Sequence, residues 1–368
     1  MRILLAVLSP ISAELGAAQM ALNLAEALRG MEIEVVVWTP YPIPPEISWW
    51  RRVAWIRRSI ADYVEKDGLF DCVDLPPVAV TRALARNCPV IARSVQPDLA
   101  YLWTEMWFAG RLRSVGVADW IATALFNFYL GILVVCGWFR ARHILCLGRE
   151  EFEWMKKWFP WWQGKLAMYV NAIADNEREA LVEVRLNRVS SGGRGTKFLW
   201  LGRWAAQKGV DLLLDFIQNN IDARSADSVT IAGCGNGVEK HIPPELLKQG
   251  NVRIVPSYDR RDLVGLLEEH DAGLFTSRTE GGGLTLQEML ESGMRVYATN
   301  AGAVHDLRRE FSELLRPFPP SGSASAMPPR TQALRAEYIK RYSWRAIAKH
   351  YLYLLRNSGG GWRERESW

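Results

Sequence analysis

The sequence has few residues of the kinds that form disulfides or bind metals. Its five cysteines, at positions 72, 88, 136, 146 and 234, are scattered and odd in number. This pattern favours reduced thiols in a cytoplasmic protein over a disulfide framework. The five histidines form no HExxH or other metal-binding motif. We therefore expect no metal site.

The chain also lacks a strong charge of either sign. Its 45 basic and 40 acidic residues leave a net charge of +5, without a dense basic run or an RNA-binding motif. Such a balance permits an acidic partner, but we expect no nucleic acid. No secretory signal is evident, because the apolar segment 1–8 is too short for one. That segment predicts a first buried strand, and we expect a cytoplasmic location.

The length of 368 residues suits two domains, and the 49% hydrophobic share is that of a globular protein. The first half opens as a βαβ unit, which predicts a parallel sheet covered by helices. Its predicted elements are strand 2–8, helix 16–29, strands 33–38, 72–74, 90–92 and 143–147, and a final strand and turn at 169–173, with irregular aromatic-rich sequence between them. Residues 184–196 are rich in Ser, Gly and Arg and predict a linker.

Beyond that linker, short apolar runs alternate with amphipathic segments, as in a doubly wound sheet. The predicted strands are 197–201, 228–232, 252–255, 271–276 and 295–299, and the predicted helices are 209–221, 259–269 and 284–292, with a short one within 236–249. Residues 316–330 predict a loop, and Ser343 predicts the N-cap of a terminal helix. In such sheets, ligands bind beyond the carboxyl ends of the strands.

One loop at such a strand end combines two acids with three glycines. Residues 277–288 have the sequence SRTEGGGLTLQE, with Glu280 before the glycines and Glu288 on the following helix. Glycines and a helix start present backbone N–H groups to an anionic oxygen. Carboxylates only accept hydrogen bonds, which suits sugar or ribose hydroxyls. The segment predicts a pocket for a phosphorylated, polyhydroxylated ligand; the alternative is a glycine turn with two solvated acids.

A second loop, Gly202 to Gly209 (GRWAAQKG), follows the first strand of the second half. Its Arg203 and Lys208 are cations of the kind that bind a diphosphate, Arg as a fork and Lys as a point charge. Taken alone, the loop is equally compatible with a solvated turn before a helix.

The two loops together resemble a known family. The order G-R-x4-K-G, a strand ending at Gly233, and S-x2-E-G-x-G-L-x4-E is similar to that of the retaining GT-B glycosyltransferases of family 4 (glycosyl transferases group 1). The resemblance extends to the opening MRILLAV and to the Ser343-Trp344 helix start. It is strong over 197–306 and weak over 45–165.

The resemblance implies an α/β GT-B fold, in which two Rossmann-like, doubly wound parallel-sheet domains face a central cleft. It implies an acceptor domain at 1–175, joined by the C-terminal helix at about 340–357, and a nucleotide-sugar donor domain at 176–339. Residues 358–368 are expected to be a disordered tail. The implied activity is transfer of a sugar from a UDP- or GDP-linked donor to a hydroxyl acceptor, lipid-linked or glycoconjugate, with retention and without a metal or other cofactor.

The same resemblance implies roles for individual residues. Arg203 and Lys208 would hold the diphosphate and stabilise the leaving group, and Glu280 would face the sugar hydroxyls. Glu288 would bind the ribose. The other implied donor-binding positions are Gly16, Gly202, Gly233, Gly281, Gly282, Gly283, Leu284 and Thr285.

The chain departs from the family in two ways. The usual E-G-F-G becomes Glu280-Gly-Gly-Gly283, which removes an aromatic wall. No histidine stands at the first-domain position near the reacting sugar, where Arg93, Ser94 and Gln96 are the polar candidates. His143 starts a predicted strand, and we expect it to be structural.

Two segments raise the question of a membrane. Residues 49–58 mix tryptophans with arginines, and 120–139 carry no charge. The uncharged run is long enough to span a bilayer, but a buried or interfacial helix on the first domain suits the sheet better. Segment 49–58 is either a solvated basic face or a contact with an anionic membrane.

Three other functions stay open. A non-catalytic nucleotide-sugar-binding protein would need only the binding residues. A dinucleotide-dependent oxidoreductase would use the glycines of 233–237, whose G-x-G-x-G spacing is only a partial fingerprint. A sugar-nucleotide epimerase would need further acids and histidines.

Overall fold

The computed structural model describes residues 1–12, 15–113, 116–188, 195–221, 226–320 and 333–356, with the backbone alone for 109–113. The chain divides into two compact units. The first comprises Met1–Met106, Val115–Ala172 and Lys340–Trp368, and the second comprises Trp107–Ser114 and Ile173–Ile339. The division after Ala172 lies close to the boundary expected at 175, whereas no sequence pattern predicts that Trp107–Ser114 group with the second unit.

The first unit is built on a six-stranded parallel sheet. Its strands are β1 Arg2–Ala6, β2 Glu34–Trp38, β3 Cys72–Leu75, β4 Val90–Arg93, β5 His143–Leu147 and β6 Leu166–Tyr169, in the order β2-β1-β3-β4-β5-β6. Its helices are α1 Gly16–Arg29, α2 Arg52–Asp67, α3 Arg82–Asn87, α4 Asp98–Arg113, α5 Val117–Arg140 and α6 Arg149–Trp158, with 3-10 turns at Trp49–Arg51, Pro77–Ala79 and Pro160–Lys165. The strands are near-continuous apolar runs because both faces of the sheet are covered.

The second unit repeats this architecture with another strand order. Its strands are β7 Lys197–Leu201, β8 Ser228–Ala232, β9 Val252–Val255, β10 Ala272–Phe275, β11 Arg295–Ala298 and β12 Leu315–Pro317. Its helices are α7 Asp175–Asn187, α8 Val210–Asn220, α9 Pro244–Lys248, α10 Arg260–Glu269, α11 Leu284–Glu291, α12 Ala303–Leu307 and α13 Ala336–Arg341.

All pairings in the second sheet are parallel, and the order is β12-β11-β10-β7-β8-β9. This is the Rossmann order, in which the chain winds outward in both directions from two central strands. Those central strands are β7 and β10, and the crevice between their carboxyl ends is the topological switch point. Both loops singled out by the sequence, 202–208 and 277–283, follow these two strands.

The last helix, α14 (Trp344–Arg356), belongs to the first unit. Ser343 caps it as predicted, because its Oγ accepts a hydrogen bond from the Ala346 N–H at 3.2 Å. The Tyr351 hydroxyl donates to Asp74 Oδ2 at 2.9 Å. Asp74 Oδ1 accepts from Arg93 Nε at 2.7 Å. The buried hydroxyl that Tyr351 brings from α14 to the sheet is thus paired with a carboxylate that is itself paired with Arg93.

The structure confirms the doubly wound α/β prediction and corrects several details. The final strand of the first unit is Leu166–Tyr169, not 169–173, and the aromatic-rich stretch between the strands is largely helical. Residues 184–187 belong to α7 and are not linker, whereas 189–194 lie outside the described residues. Strand β12 occupies the start of the loop predicted at 316–330. Residues 321–330 and the tail 358–368 also lie outside the described part.

Candidate functional site

The two loops at the switch point of the second unit are joined by backbone and side-chain hydrogen bonds. The Arg278 N–H donates to the Gln207 carbonyl at 2.8 Å. The Thr276 hydroxyl donates to the Lys208 carbonyl at 2.7 Å. At Gly209, where φ is +61°, a Cβ would lie 2.0 Å from the Thr276 carbonyl oxygen. Only glycine permits this approach, so the loop after β7 is fixed against the end of β10.

This clamp brings Lys208 and Glu280 together. Lys208 Nζ donates a charge-assisted hydrogen bond to Glu280 Oε2, and each side chain is 17% exposed. The Ser277 hydroxyl donates to the same carboxylate oxygen at 3.2 Å. A cation and an acceptor that the sequence places far apart therefore form one partly shielded polar group at the switch point, where they interact more strongly than at an open surface.

The glycine loop is held by contacts on both sides. Gly283 has a φ of +50° and precedes the first residue of α11. Gln287 Nε2 donates to the Gly282 carbonyl at 3.1 Å. On the other side, a Cβ at Gly302 would lie 1.7 Å from the Glu280 carbonyl oxygen. Gly281, Gly282 and Gly283 are buried, whereas Leu284 and Thr285 are partly exposed. The first N–H groups of α11 have no acceptor within the helix and start from this loop.

Glu288 lies one turn into α11 and is 2% exposed. Its Oε1 accepts from Arg260 at 2.6 Å, while its Oε2 is buried and has no hydrogen-bond partner among the residues that the structure describes. Burial raises the pKa of Glu288, and the charge of Arg260 opposes that rise. Arg260 also forms a bidentate pair with Glu177, with both distances 2.8 Å. A buried carboxylate oxygen without a donor is costly, so it marks a position where a ligand hydroxyl can donate.

The remaining donor-loop residues differ in their surroundings. Arg203 is exposed and forms no ion pair within the described part of the chain. A Cβ at Gly202 would lie 3.3 Å from the Trp200 ring and 3.7 Å from Lys208 Cδ, so a larger residue would press on both. At Gly233 a Cβ would lie 2.9 Å from Tyr258 Cε1, so the Tyr258 ring covers this glycine. The donor contacts of these three residues stay predictions.

The first unit contains the other implied positions. Gly16 is the exposed first residue of α1, and its contact with a donor stays a prediction. Arg93 and Ser94, predicted as polar candidates near the reacting sugar, are 2% and 1% exposed and fully engaged. His143 begins β5 and is partly buried, in the structural position expected for it.

Ser94 lies between the buried carboxyl of Glu151 and the partly exposed carboxyl of Asp98, which no sequence motif connects. Its Oγ is 2.5 Å from Glu151 Oε1 and 3.2 Å from Asp98 Oδ2. Burial raises the pKa of Asp98 to about 7. Burial and the neighbouring Asp98 charge raise the pKa of Glu151 to about 8. At neutral pH, Glu151 is therefore mostly protonated and Asp98 about half protonated, so the cluster carries less than its full negative charge.

Sequence reasoning did not single out Arg260, Glu177 or Gly302. By the family resemblance, residues 259–263 lie near the nucleobase, and the helix predicted at 259–269 has Arg260 near its start. The structure shows a capping box of Asp259 with Asp262 there. The sequence does not give the partners of Arg260, which come from α7 and α11. Gly302 follows the strand predicted at 295–299. The glycine itself is the one sequence feature that could have indicated a close backbone contact there. No three His, Cys, Asp or Glu side chains in the described residues are grouped as metal ligands.

One family model matches most of the second unit. Residues 195–326 match the family model described as "Glycosyl transferases group 1". No curated protein sequence is similar enough to count as a relative.

Solved structures similar to the chain share its fold at low sequence identity. Sucrose-phosphate synthase from Thermosynechococcus elongatus has a TM-score of 0.71 and 14% identity, covering 96% of this chain and 98% of that one. An Escherichia coli structure described as trehalose-6-phosphate bound with UDP-2-fluoro glucose has a TM-score of 0.63 and 10% identity, covering 97% and 99%. Anabaena HepE in complex with UDP and glucose has a TM-score of 0.59 and 14% identity, covering 97% and 100%. The fold of this chain is GT-B, as the sequence resemblance predicts.

Proposed function

We propose, from the group 1 glycosyltransferase domain that residues 195–326 form on a GT-B fold, that this protein transfers a sugar from a nucleoside diphosphate sugar to a hydroxyl acceptor. The donor is UDP- or GDP-linked, and the acceptor is a lipid-linked saccharide or another glycoconjugate. The reaction proceeds with retention and without a metal. The enzyme works in the cytoplasm.

The observation that carries this proposal is the pairing of Lys208 with Glu280 at the switch point. In a nucleoside diphosphate sugar, the sugar ring and the diphosphate share one bond at the anomeric carbon. Groups that recognise the two halves must therefore lie within a few ångströms of each other. A cation for phosphate and a carboxylate for hydroxyls, joined by one hydrogen bond, have this arrangement.

The chemistry follows from the charges. Breaking the bond between the anomeric carbon and the diphosphate leaves negative charge on the departing oxygen. Lys208 and Arg203, held on a loop at the carboxyl end of β7, stabilise this charge more in the transition state than in the bound donor. Glu280 then accepts hydrogen bonds from the sugar hydroxyls, and its pairing with Lys208 shifts as the phosphate binds.

The nucleoside half has its own contact at Glu288. Oε1 is already bound by Arg260, which fixes the carboxylate, and Oε2 is left to accept from a ribose hydroxyl. Because Arg260 is itself fixed by Glu177, the acceptor oxygen is positioned before the ligand binds. A glycine-rich loop and the start of α11 complete the set with N–H donors.

The oxidoreductase alternative has less support. A dinucleotide fingerprint needs its glycines to approach a pyrophosphate closely. Here the Tyr258 ring packs against Gly233, the first glycine of that motif. A non-catalytic nucleotide-sugar-binding protein would bind the donor without transferring or hydrolysing its sugar, so a turnover assay distinguishes this alternative.

The test is a transfer and donor-hydrolysis assay on purified wild-type protein with UDP- and GDP-sugars. Lys208→Ala and Glu280→Gln should each lower kcat/KM by about 100-fold or more, the loss expected for one electrostatic contact in a transition state. Lys240→Ala, an exposed lysine of the same unit, is the matched control and should keep wild-type turnover. Undiminished turnover in both site variants would refute the assignment, and tight nucleotide binding without any turnover would favour a non-catalytic binding protein.

A further inference from the structure

Helix α5 in the first unit is apolar on all sides. It has 24 residues and is long and apolar enough to cross a membrane, but only 11% of its most apolar stretch is buried. A water-exposed helix normally carries polar side chains on its outer face. An outer face made of large apolar side chains therefore indicates a partner that covers it.

Five large apolar side chains on the exposed side of α5 form one stripe. Ile121, Leu125, Phe128, Ile132 and Phe139 are 47%, 66%, 68%, 47% and 69% exposed. At 100° per residue they fall within one narrow arc of the helix, over a length of about 27 Å. We refer to these five residues as the α5 stripe.

The opposite face of α5 packs into the first unit. Val134 and Trp138 are 2% and 1% exposed. At Gly137 a Cβ would lie 2.0 Å from the Pro77 carbonyl oxygen, so the helix backbone lies directly on the 3-10 turn Pro77–Ala79. A helix fixed to a soluble sheet along this half does not cross a bilayer. The α5 stripe can only meet a membrane side-on.

Aromatic side chains paired with cations border the stripe. The Trp49 and Phe126 rings meet edge-on at 4.9 Å, and the neighbouring Trp50 is 54% exposed with Arg51 Cζ 4.5 Å from its ring centre. Lys165 Nζ lies 5.9 Å from the ring centre of Phe139, the last residue of the stripe. Tryptophans and long cations place their apolar parts in the lipid interface and their polar ends in water.

The charged side chains of segment 49–58 are all basic. Segment 49–58 contains four arginines, at 51, 52, 57 and 58, and no acid. Arg51, Arg52 and Arg58 are exposed, and Arg58 Nε lies 3.8 Å from Asp62 Oδ2, which leaves Arg51 and Arg52 as the unopposed cations. Arg57 donates to the Val78 and Val80 carbonyls and fixes the segment beside the turn under α5. This charge complements an anionic lipid surface, whereas a protein partner at an apolar patch would usually meet fewer charges.

We propose that the α5 stripe and the arginines of segment 49–58 seat this protein side-on on an anionic lipid bilayer. The helix then lies in the plane of the interface, and its outer side chains reach below the headgroups. The sequence left open whether segment 49–58 is a solvated basic face or a contact with an anionic membrane, and the exposed α5 stripe beside it favours the membrane. It concerns where the protein works and does not depend on the proposed sugar transfer.

The test is flotation of the full chain with vesicles of phosphatidylcholine alone and of phosphatidylcholine mixed with phosphatidylglycerol. Wild-type protein should float with the mixed vesicles and should bind phosphatidylcholine alone at least about ten-fold more weakly. Leu125→Gln combined with Phe128→Gln should lower the partition coefficient on mixed vesicles by about ten-fold or more. Arg51→Glu combined with Arg58→Glu should have a similar effect, and added salt should weaken wild-type binding.

Leu69→Gln is the matched control, because Leu69 is 94% exposed in the same unit but outside the stripe. It should float like wild type, and all variants should keep the wild-type circular dichroism, since the changed side chains are exposed. Nucleoside diphosphate binding should also be unchanged, so a failure of this inference is separable from a failure of the proposed function.

Three results would overturn the proposal. One is wild-type protein that does not float. Another is flotation that the stripe variant does not weaken or that is equal on uncharged vesicles. The third is a wild-type dimer in sedimentation that the stripe variant converts to monomer, because the stripe would then be covered by a second copy of the chain.

Discussion

The Thr276 hydroxyl donates to the Lys208 carbonyl at 2.7 Å and accepts from the Trp200 indole N–H at 2.9 Å. One buried side chain thus connects strand β7, the loop that follows it and the end of β10. It fixes the backbone that carries Lys208 and is itself only 1% exposed. Thr276 is therefore a positioning residue.

Thr276→Val should destabilise the second unit by about 1–3 kcal/mol, because the indole N–H loses its buried acceptor. It should also weaken nucleoside diphosphate binding through the released Lys208 loop. Calorimetric unfolding and titration check both effects. Thr123→Val is the control, since its hydroxyl donates to the Asp119 carbonyl on an exposed helix face, and it should change neither quantity. An unchanged melting transition in Thr276→Val would show that the clamp is unimportant.

The proposed contact between Glu288 and the ribose can be tested by changing the side chain and the ligand in turn. If its Oε2 accepts from a ribose hydroxyl, wild-type protein should bind a ribonucleoside diphosphate about 10-fold or more tighter than the 2′,3′-dideoxy analogue, as for a hydrogen bond to a charged group. Glu288→Gln should remove most of this preference and leave inorganic pyrophosphate binding unchanged. A preference that survives the substitution would place the ribose elsewhere.

Gly302 should not tolerate a side chain. Its φ is +50°, and a Cβ would lie 1.7 Å from the Glu280 carbonyl oxygen. Gly302→Ala should therefore displace the Glu280 loop and lower both stability and turnover. Gly265→Ala is the matched control, because nothing lies within 4 Å of its Cβ position in α10. That control should stabilise the unit by about 0.5–1 kcal/mol, and equal behaviour of the two variants would contradict the predicted close contact.

The carboxyls of Asp98 and Glu151 predict a pH dependence of stability. Their pKa values of about 7 and about 8 in the folded protein lie above the ordinary values near 4. The folded state therefore holds more protons than the unfolded state between pH 4 and 8, and the stability of the first unit should fall as the pH rises through this window. For each group, the free energy of unfolding should fall by at most about 1.4 kcal/mol per pH unit.

Thermal unfolding measured at intervals from pH 5 to pH 9 checks this dependence. Glu151→Gln should flatten the curve, whereas Glu150→Gln, at the exposed neighbouring position, should leave it unchanged. A wild-type stability that is flat or rises over this range would show that the carboxyls are ionised in the folded state.

The sequence predicted the second unit more fully than the first. Strands β7 to β11 could be located because short apolar runs alternate with helices, and the loops of Arg203 and Glu280 could be placed at strand ends. That these two loops lie next to each other could be known only from the strand order, which brings β7 beside β10. The partners of Glu288 could not be predicted, because Arg260 and Glu177 come from separate helices and long-range pairing leaves no local pattern.

In the first unit, tertiary packing decides features that the sequence pattern leaves open. Arg93 and Ser94 were polar candidates because segment 91–97 occupies roughly the place of the family's first-domain histidine, and that role stays a prediction. The structure adds that Arg93 is buried against Asp74, a partner that the tertiary fold supplies. The uncharged run 120–139 did predict a helix, but composition does not tell which of its faces is covered, and the exposed α5 stripe emerged only from the packing of Gly137 and Trp138.

The central claim is that Lys208 and Glu280 bind the two sides of the bond between sugar and diphosphate. Calorimetric titration tests it most directly, with UDP-glucose and GDP-mannose as donor probes and the corresponding nucleoside diphosphates beside them. Lys208→Ala should weaken the nucleoside diphosphate and its sugar-bearing form alike, while Glu280→Gln should weaken only the sugar-bearing form. The titration uses the nucleotide that wild-type protein prefers, with and without its sugar. If both variants bind both ligands as tightly as wild type does, the claim is wrong.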